Sequence, residues 1–275
     1  MEKDPFWVFF SSRNLLTNVS KYDTLCKLCV FRQRGRFATE PKNTARIGRT
    51  GELAWLLGVL LCSLGVCFSA KSGFGVSMVV APAYVLHRFL SPTIPWMTFG
   101  AAEYLLQGTL ILLLCVAVQR FKWKYLLSFV TAVCYGFALD FWRMLFGTEV
   151  YGELWQRIIA CGVGALITAF SIALYLRTYL PQQGYELVVK ELTERYRFRL
   201  GRVKWLYDIG SLLVAILLML VLFGTFSTDM VGVGTLLLTV INTPLITLSG
   251  KLLDKWFTFT PAFPRFRARF DQVCN

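Results

Sequence analysis

The hydrophobic positions of this chain gather into six long runs, at residues 53–70, 99–118, 125–146, 154–176, 203–226 and 231–253. A hydrocarbon layer of about 30 Å takes about 20 helical residues, so each run has the length of a membrane span. Lipid offers no partner to backbone N–H and C=O groups, and each run is therefore expected to be a helix. The alternating segments of a membrane barrel are absent from the sequence.

Two stretches between the runs are neither clean spans nor polar loops. Residues 72–95 read SGFGVSMVVAPAYVLHRFLSPTIP, and residues 179–201 read YLPQQGYELVVKELTERYRFRLG. Each carries a proline opening a short helical pattern with a tyrosine near its start, Pro82 with Tyr84 and Pro181 with Tyr185. The first is Gly-rich through Gly73 and Gly75 and nearly uncharged, which suits a re-entrant or interfacial helix on the outer side. The second sets Leu187, Val188 and Leu192 against Lys190, Glu191, Glu194, Arg195, Arg197 and Arg199, the pattern of an amphipathic helix lying on the inner leaflet.

These inserts fall at the same place in the two halves of the chain. Glu103, Tyr104 and Gln107 near the start of the second run correspond to Tyr207 and Asp208 in the fifth. Asp140-Phe141-Trp142 near the end of the third run corresponds to Asp254-Lys255-Trp256 after the sixth. Three spans per unit is an odd number, so the second unit would enter the membrane from the other face. The expected fold class is an all-α membrane protein, six transmembrane helices in two inverted three-helix repeats, each with a short Pro-led amphipathic or re-entrant helix. The corresponding division is a basic cytoplasmic tail over 1–50, repeats over 51–150 and 151–256, and a basic aromatic tail over 257–275.

Composition agrees with a membrane protein. Hydrophobic residues make up 56% and charged residues 16%, with mean hydropathy +0.55, where soluble domains average about 45–50% and about 25%. Aromatic residues at 15% exclude a disordered chain. The net charge of +13 is unevenly placed: 25 of the 29 Lys and Arg residues lie in the tail before the first run and in the segments 120–124, 177–204 and 251–275. Only Lys71, Arg88, Arg143 and Arg157 fall on the other side. The positive-inside rule then puts both termini in the cytoplasm. The basic segments are expected to meet anionic inner-leaflet lipid rather than nucleic acid. Aromatic interleaving such as Phe263-Pro264-Arg265-Phe266-Arg267 suits an interface.

The first 50 residues lack the pattern of a signal peptide, and Phe6 to Phe10 (FWVFF) is too short to span. Cys26 and Cys29 form a C-x-x-C with no second ligand pair nearby, so no metal or redox site is expected. Cys62, Cys67, Cys115, Cys134 and Cys161 sit in apolar runs as small hydrophobes, and no disulfide framework is expected. His87, the one histidine, reads as interfacial rather than as a ligand or base. No H-E-x-x-H, G-x-S-x-G or Walker lysine motif occurs, so neither an enzyme nor a cofactor is expected. Gly162, Gly164, Gly232 and Gly234 read as close-packing positions.

Polar residues inside spans are costly and tend to face a cavity or a partner. Glu103 and Gln107 share one helical face, and Asp140, Asp208 and Asn242 complete the set of candidate substrate contacts. A structural reading stands beside this one. Asp140 has Arg143 one turn on, and Asp208 has Lys204 one turn back.

At the sixth run, Gly232-Val233-Gly234-Thr235, Asn242 and Pro244-Leu245-Ile246 resemble the glycine-threonine and late-proline signature of the YczE/YyaS-like bacterial integral membrane proteins, related to the YitT group. The first insert, with Gly73, Gly75, Pro82 and His87, is similar to theirs as well. The resemblance covers residues 51–256 and implies a multi-pass protein of the bacterial inner membrane with no catalytic residues to carry over. The expected function is a permease or transporter-like protein for a small solute. The alternative is a non-transporting scaffold that engages anionic lipid or a cytoplasmic partner through the basic tail and the second insert.

Overall fold

The computed structural model describes residues 51–119, 121–178, 180–196, 198 and 200–257, so the expectations for residues 1–50, including FWVFF and the Cys26/Cys29 pair, and for 258–275 lie outside the described residues. Among the described residues there are eight helices and no strand: α1 (Gly51–Ser72), α2 (Ala81–Leu90), α3 (Phe99–Val118), α4 (Trp123–Phe146), α5 (Leu154–Tyr175), α6 (Gly184–Tyr196), α7 (Leu200–Phe223) and α8 (Val233–Trp256). Six of them, all but α2 and α6, are long and apolar enough to cross a membrane. They match the six hydrophobic runs, and the chain is a multi-pass membrane protein. Many of their large apolar side chains point outward, among them Leu112, Val116, Leu217, Val221 and Val240. A water-soluble bundle would bury that surface; in lipid it costs nothing to leave it outside.

Among the described helices the most extensive contact is between α1 and α5. They cross at two glycines, because a Cβ on Gly65 would stand 2.8 Å from the Gly164 carbonyl oxygen and 2.2 Å from Thr168 Oγ1. A Cβ on Gly164 would stand 2.8 Å from the Gly65 carbonyl oxygen and 2.7 Å from Ser69 Oγ. Small residues let backbones approach where lipid supplies no hydrophobic drive for association. Gly164 is thus the close-packing residue its sequence context suggested, whereas Gly162 faces open space. Gly232 and Gly234 pack on Phe74, whose carbonyl accepts from the Gly234 N–H at 2.9 Å. Around this pair, α4 packs on α1 and α8 on α5, α3 lies along α4, and α7 contacts α2 and α6.

The two ends of the bundle are pinned differently. At the end holding the start of α1, Arg177 bonds Asp254 Oδ1 at 2.9 Å and the Gly250 carbonyl at 2.6 Å. At the opposite end, Arg157 donates to the carbonyls of Ser72 at 2.7 Å and Gly73 at 2.8 Å, and Lys71 donates to Phe146 O at 2.5 Å. These cations satisfy carbonyls at the end of α1 and α4 that no helix partner reaches. Gly75 makes the bend after α1 with φ +95°, and a Cβ there would stand 2.4 Å from Thr235 Oγ1. Only glycine meets both conditions.

The second insert differs from its expected placement. Rather than lying on the inner leaflet, α6 is buried over Tyr185, Leu187, Val188, Val189 and Glu191. The reason is the set of polar groups that holds its approach. The Pro181 carbonyl accepts from Trp55 Nε1 at 3.3 Å and Thr131 Oγ1 at 3.2 Å, the Gln182 carbonyl from Ser128 Oγ at 2.6 Å, and the Gly184 N–H donates to Gln107 Oε1 at 3.0 Å. Gln107 lies about 12 Å along α3 at 1.5 Å per residue, near its middle. The segment after α5 therefore turns back into the bundle, and α6 starts deep and climbs about 20 Å outward again. Pro181 sits in this approach, three residues before the helix, whereas Pro82 is within the first turn of α2 as expected.

His87 is buried in the protein rather than interfacial. Its Nδ1 meets the Met97 carbonyl at 2.9 Å, its Nε2 faces Arg143 Nη2 at 3.3 Å, and its ring stacks on Phe99. Facing a carbonyl and a guanidinium, the ring donates at Nδ1 and accepts at Nε2, the neutral form. Burial first, and then Arg143 and Arg88, hold its pKa below the usual 6.5, against the pull of the Met97 carbonyl and Asp140. The depressed folded value means that unfolded chains bind the proton first as pH falls. The stability His87 contributes is complete above pH 6.5 and is lost as pH falls through the folded value. Thermal melts should show a smaller loss between about pH 7 and pH 5 in His87→Gln than in the wild type; equal losses would contradict this.

Candidate functional site

A cavity of about 90 Å³ lies where the two inserts meet. From one side it is lined by Ser77, Val79 and Val80, just ahead of α2, and from the other by Gln182, Gln183, Tyr185 and Glu186 at the start of α6. Cys62 and Val66 of α1, Tyr135 of α4, Thr168 and Tyr175 of α5, Lys204 of α7 and Asn242 of α8 close it. Both short helices thus begin at the cavity, and they run to opposite ends: Phe89 of α2 meets Phe223 edge to face, while Glu191 of α6 meets Lys122 and Lys124.

The wall is richer in polar groups than in partners for them. The Tyr175 hydroxyl, Gln183 Nε2 and Asn242 Oδ1 are buried without a hydrogen bond. Unpartnered buried polar atoms cost about 1–3 kcal/mol each and call for an explanation in a ligand or water. Lys204 is matched by Asp208 Oδ1 at 3.1 Å. Glu186 makes no ion pair among the described residues. Burial pushes its carboxyl above the usual range, and Lys204 only partly offsets the shift.

Behind the wall stands Glu103, fully buried. Its Oε2 accepts from the Tyr185 hydroxyl at 2.7 Å and from Gln107 Nε2 at 3.3 Å, while Oε1 has no partner. Glu103 and Gln107 therefore act on the site through Tyr185 and the backbone of Gly184. Asn242 lines the cavity directly. Asp208 reaches it only as the partner of Lys204.

Asp140 has a different position. It accepts from Thr98 Oγ1 at 2.5 Å and from the Gly100 N–H at 2.8 Å, so it caps the start of α3. Its neighbour Arg143 engages His87 instead. Of the five sequence candidates, one lines the cavity, three stand behind it, and Asp140 is apart. The residues missed from sequence are Tyr135, Tyr175, Gln182, Gln183, Glu186 and Lys204. The one available clue was the pair of amides in Leu180-Pro181-Gln182-Gln183-Gly184, a polar sequence for a chain that turns back into the bundle.

A second cluster holds the far end of α6. Glu191, 2% exposed, accepts from Lys122 Nζ at 3.0 Å and from the Tyr125 hydroxyl at 2.8 Å, and pairs with Lys124 through its other oxygen. Burial alone would raise its pKa; Lys124, Lys122 and Tyr125 outweigh that and hold the carboxyl below its usual range. No group of three or more His, Cys, Asp or Glu side chains placed to hold a metal ion occurs among the described residues.

Residues 50–251, which hold the crossing, both inserts and the cavity, match a family described as a family of unknown function, DUF6198. The chain belongs to this family. It is also 29% identical over 143 residues to the uncharacterized protein YyaS of Bacillus subtilis (strain 168), an alignment covering 50% of this chain and 68% of YyaS. No solved structure matches. The matched region thus contains every residue of the cavity wall, while residues 1–49 and 252–275 fall outside the family match.

Proposed function

We propose that this family member is a permease or transporter-like protein that carries a small solute between two inverted three-helix halves. The observation that carries the reading is the cavity at which two inserts arrive from opposite ends of the bundle. Transporters built from inverted repeats bind at such a place, between short or broken helices near the midplane. The packing supports two related halves. Exchanging α1–α4 for α5–α8 maps the α1/α5 crossing onto itself, with Gly65 and Ser69 answering to Gly164 and Thr168. The same exchange maps α4 on α1 onto α8 on α5, and α2 on α7 onto α6 on α3, while the α3/α4 contact has no equally extensive α7/α8 counterpart. In this reading the protein is not an enzyme and lies in the bacterial cytoplasmic membrane. Its termini are cytoplasmic, with the basic tails on anionic lipid.

Cys62 on the cavity wall gives a test that needs no known substrate. In a variant with every other cysteine replaced, a membrane-impermeant maleimide should label Cys62 slowly from both faces, in right-side-out and in inverted vesicles. Labelling from one face only, or from neither, would sink the carrier and leave the scaffold as the better account.

A further inference from the structure

We propose that the cavity binds a small organic ammonium ion, with Glu186 as its counter-charge, the rings of Tyr135, Tyr175 and Tyr185 as its walls, and Glu103 acting through Tyr185. This rests on the carrier reading and names the substrate class of the same site.

The charges around the cavity are unequal. Lys204 pairs with Asp208 at 3.1 Å and only partly offsets Glu186. Glu186 on the wall and Glu103 one side chain behind it have no cation paired with them among the described residues. Glu103 is fully buried and Glu186 partly so, and carboxylates held away from water without a paired cation are costly, a cost that an entering cation relieves. Three tyrosines on one small cavity supply the aromatic surface that recognises alkylammonium groups. The hydrogen bond from the Tyr185 hydroxyl to Glu103 at 2.7 Å leaves more electron density on that ring, which strengthens the attraction.

An anion is the competing occupant, since α2 and α6 both present their N-termini here. Those ends are largely satisfied. The Gly184 N–H is held by Gln107, Leu187 by the Gln183 carbonyl, Val80 and Ala81 by the Ser77 carbonyl, and Pro82 has no N–H to offer. Glu186, an acidic side chain in the first turn of α6, already complements that helix. A cavity of about 90 Å³ further limits the ligand to a few heavy atoms.

The probe is radiolabelled tetramethylammonium, measured by equilibrium dialysis on the full-length protein in detergent. Tert-butanol, uncharged and of similar size, and acetate serve as competitors. Saturable binding is expected, with tert-butanol competing at least tenfold more weakly and acetate not at all. Glu186→Gln should weaken binding tenfold or more and Glu103→Gln severalfold, whereas Glu186→Asp, which keeps the charge, should stay within about threefold of wild type. Size-exclusion profiles and melting temperatures of the variants separate loss of site from loss of fold. No saturable binding, equal competition by tert-butanol, competition by acetate, or full affinity in a folded Glu186→Gln protein would overturn the ammonium assignment. None of these outcomes touches the two-sided labelling of Cys62, so failure of the ligand class and failure of the carrier remain distinguishable.

Discussion

Replacing Gly65 with leucine is expected to abolish a monodisperse bundle, while the same replacement at Gly162 leaves it folded. The contrast follows from what each new side chain meets. At Gly65 the first added carbon stands 2.8 Å from the Gly164 carbonyl oxygen and equally close to the Thr168 backbone nitrogen, so relief requires moving a helix backbone. Forcing atoms into a close-packed contact costs typically about 1–3 kcal/mol, and more when backbone must shift. The α1/α5 pair is the most extensive contact among the described helices, so separating it also loosens α4 and α8, which pack on either side. At Gly162, two residues from the crossing on the same helix as Gly164, a Cβ meets nothing within 4 Å. Leucine there gains helix propensity and lipid contact. Size-exclusion chromatography and thermal melting of the two variants in one detergent give the comparison; normal behaviour of Gly65→Leu would contradict the crossing.

The next largest loss is expected from Glu191→Ala. The carboxylate is 2% exposed and serves two lysines and the hydroxyl of the fully buried Tyr125. Removing one partner of a buried ion pair costs about 3–5 kcal/mol. Lys122 and Lys124 are 35% and 20% exposed and regain water, so about 2 kcal/mol is the expected scale here. Glu191→Gln keeps an acceptor for Tyr125 and should lose about half as much. Because the cluster holds the far end of α6, the damage should concentrate there. Limited proteolysis should cut first near residues 190–199 in Glu191→Ala, ahead of any cut elsewhere. Unchanged protease resistance would show that the hydrogen bonds at the deep end of α6 suffice.

How far the sequence reveals this molecule depends on which forces a residue pattern exposes. The six spans are legible because a twenty-residue apolar run has one physical outcome in lipid. The inserts are legible as interruptions, through Pro82 and Pro181. The depth of α6 is not, since Lys190, Glu191 and Arg195 form the pattern of a helix on a surface. That pattern does not show that Glu191 turns inward to meet lysines from the start of α4. The site is only partly legible for a related reason. Carboxylates and amides inside spans stand out, which brought forward Glu103, Gln107, Asp208 and Asn242. It also brought forward Asp140, because a helix cap and a ligand contact look alike in sequence. Tyrosines do not stand out among 11 in an aromatic-rich chain, and Tyr135 and Tyr175 become part of a site only through the crossing that brings α1, α4 and α5 together.

The cations that clamp the carbonyls at the end of α1 alter what the surrounding lipid experiences. By sequence, the sparsely charged side of the protein carries Lys71, Arg88, Arg143 and Arg157. Lys71 is buried against Phe146 O, Arg157 is spent on Ser72 and Gly73, and Arg143 is turned toward His87 and the Phe99 ring. Arg88 is the one of the four that is exposed. Glu149, Glu153 and Asp229 are exposed at the same end, so acidic side chains outnumber basic ones among the exposed residues that headgroups meet there.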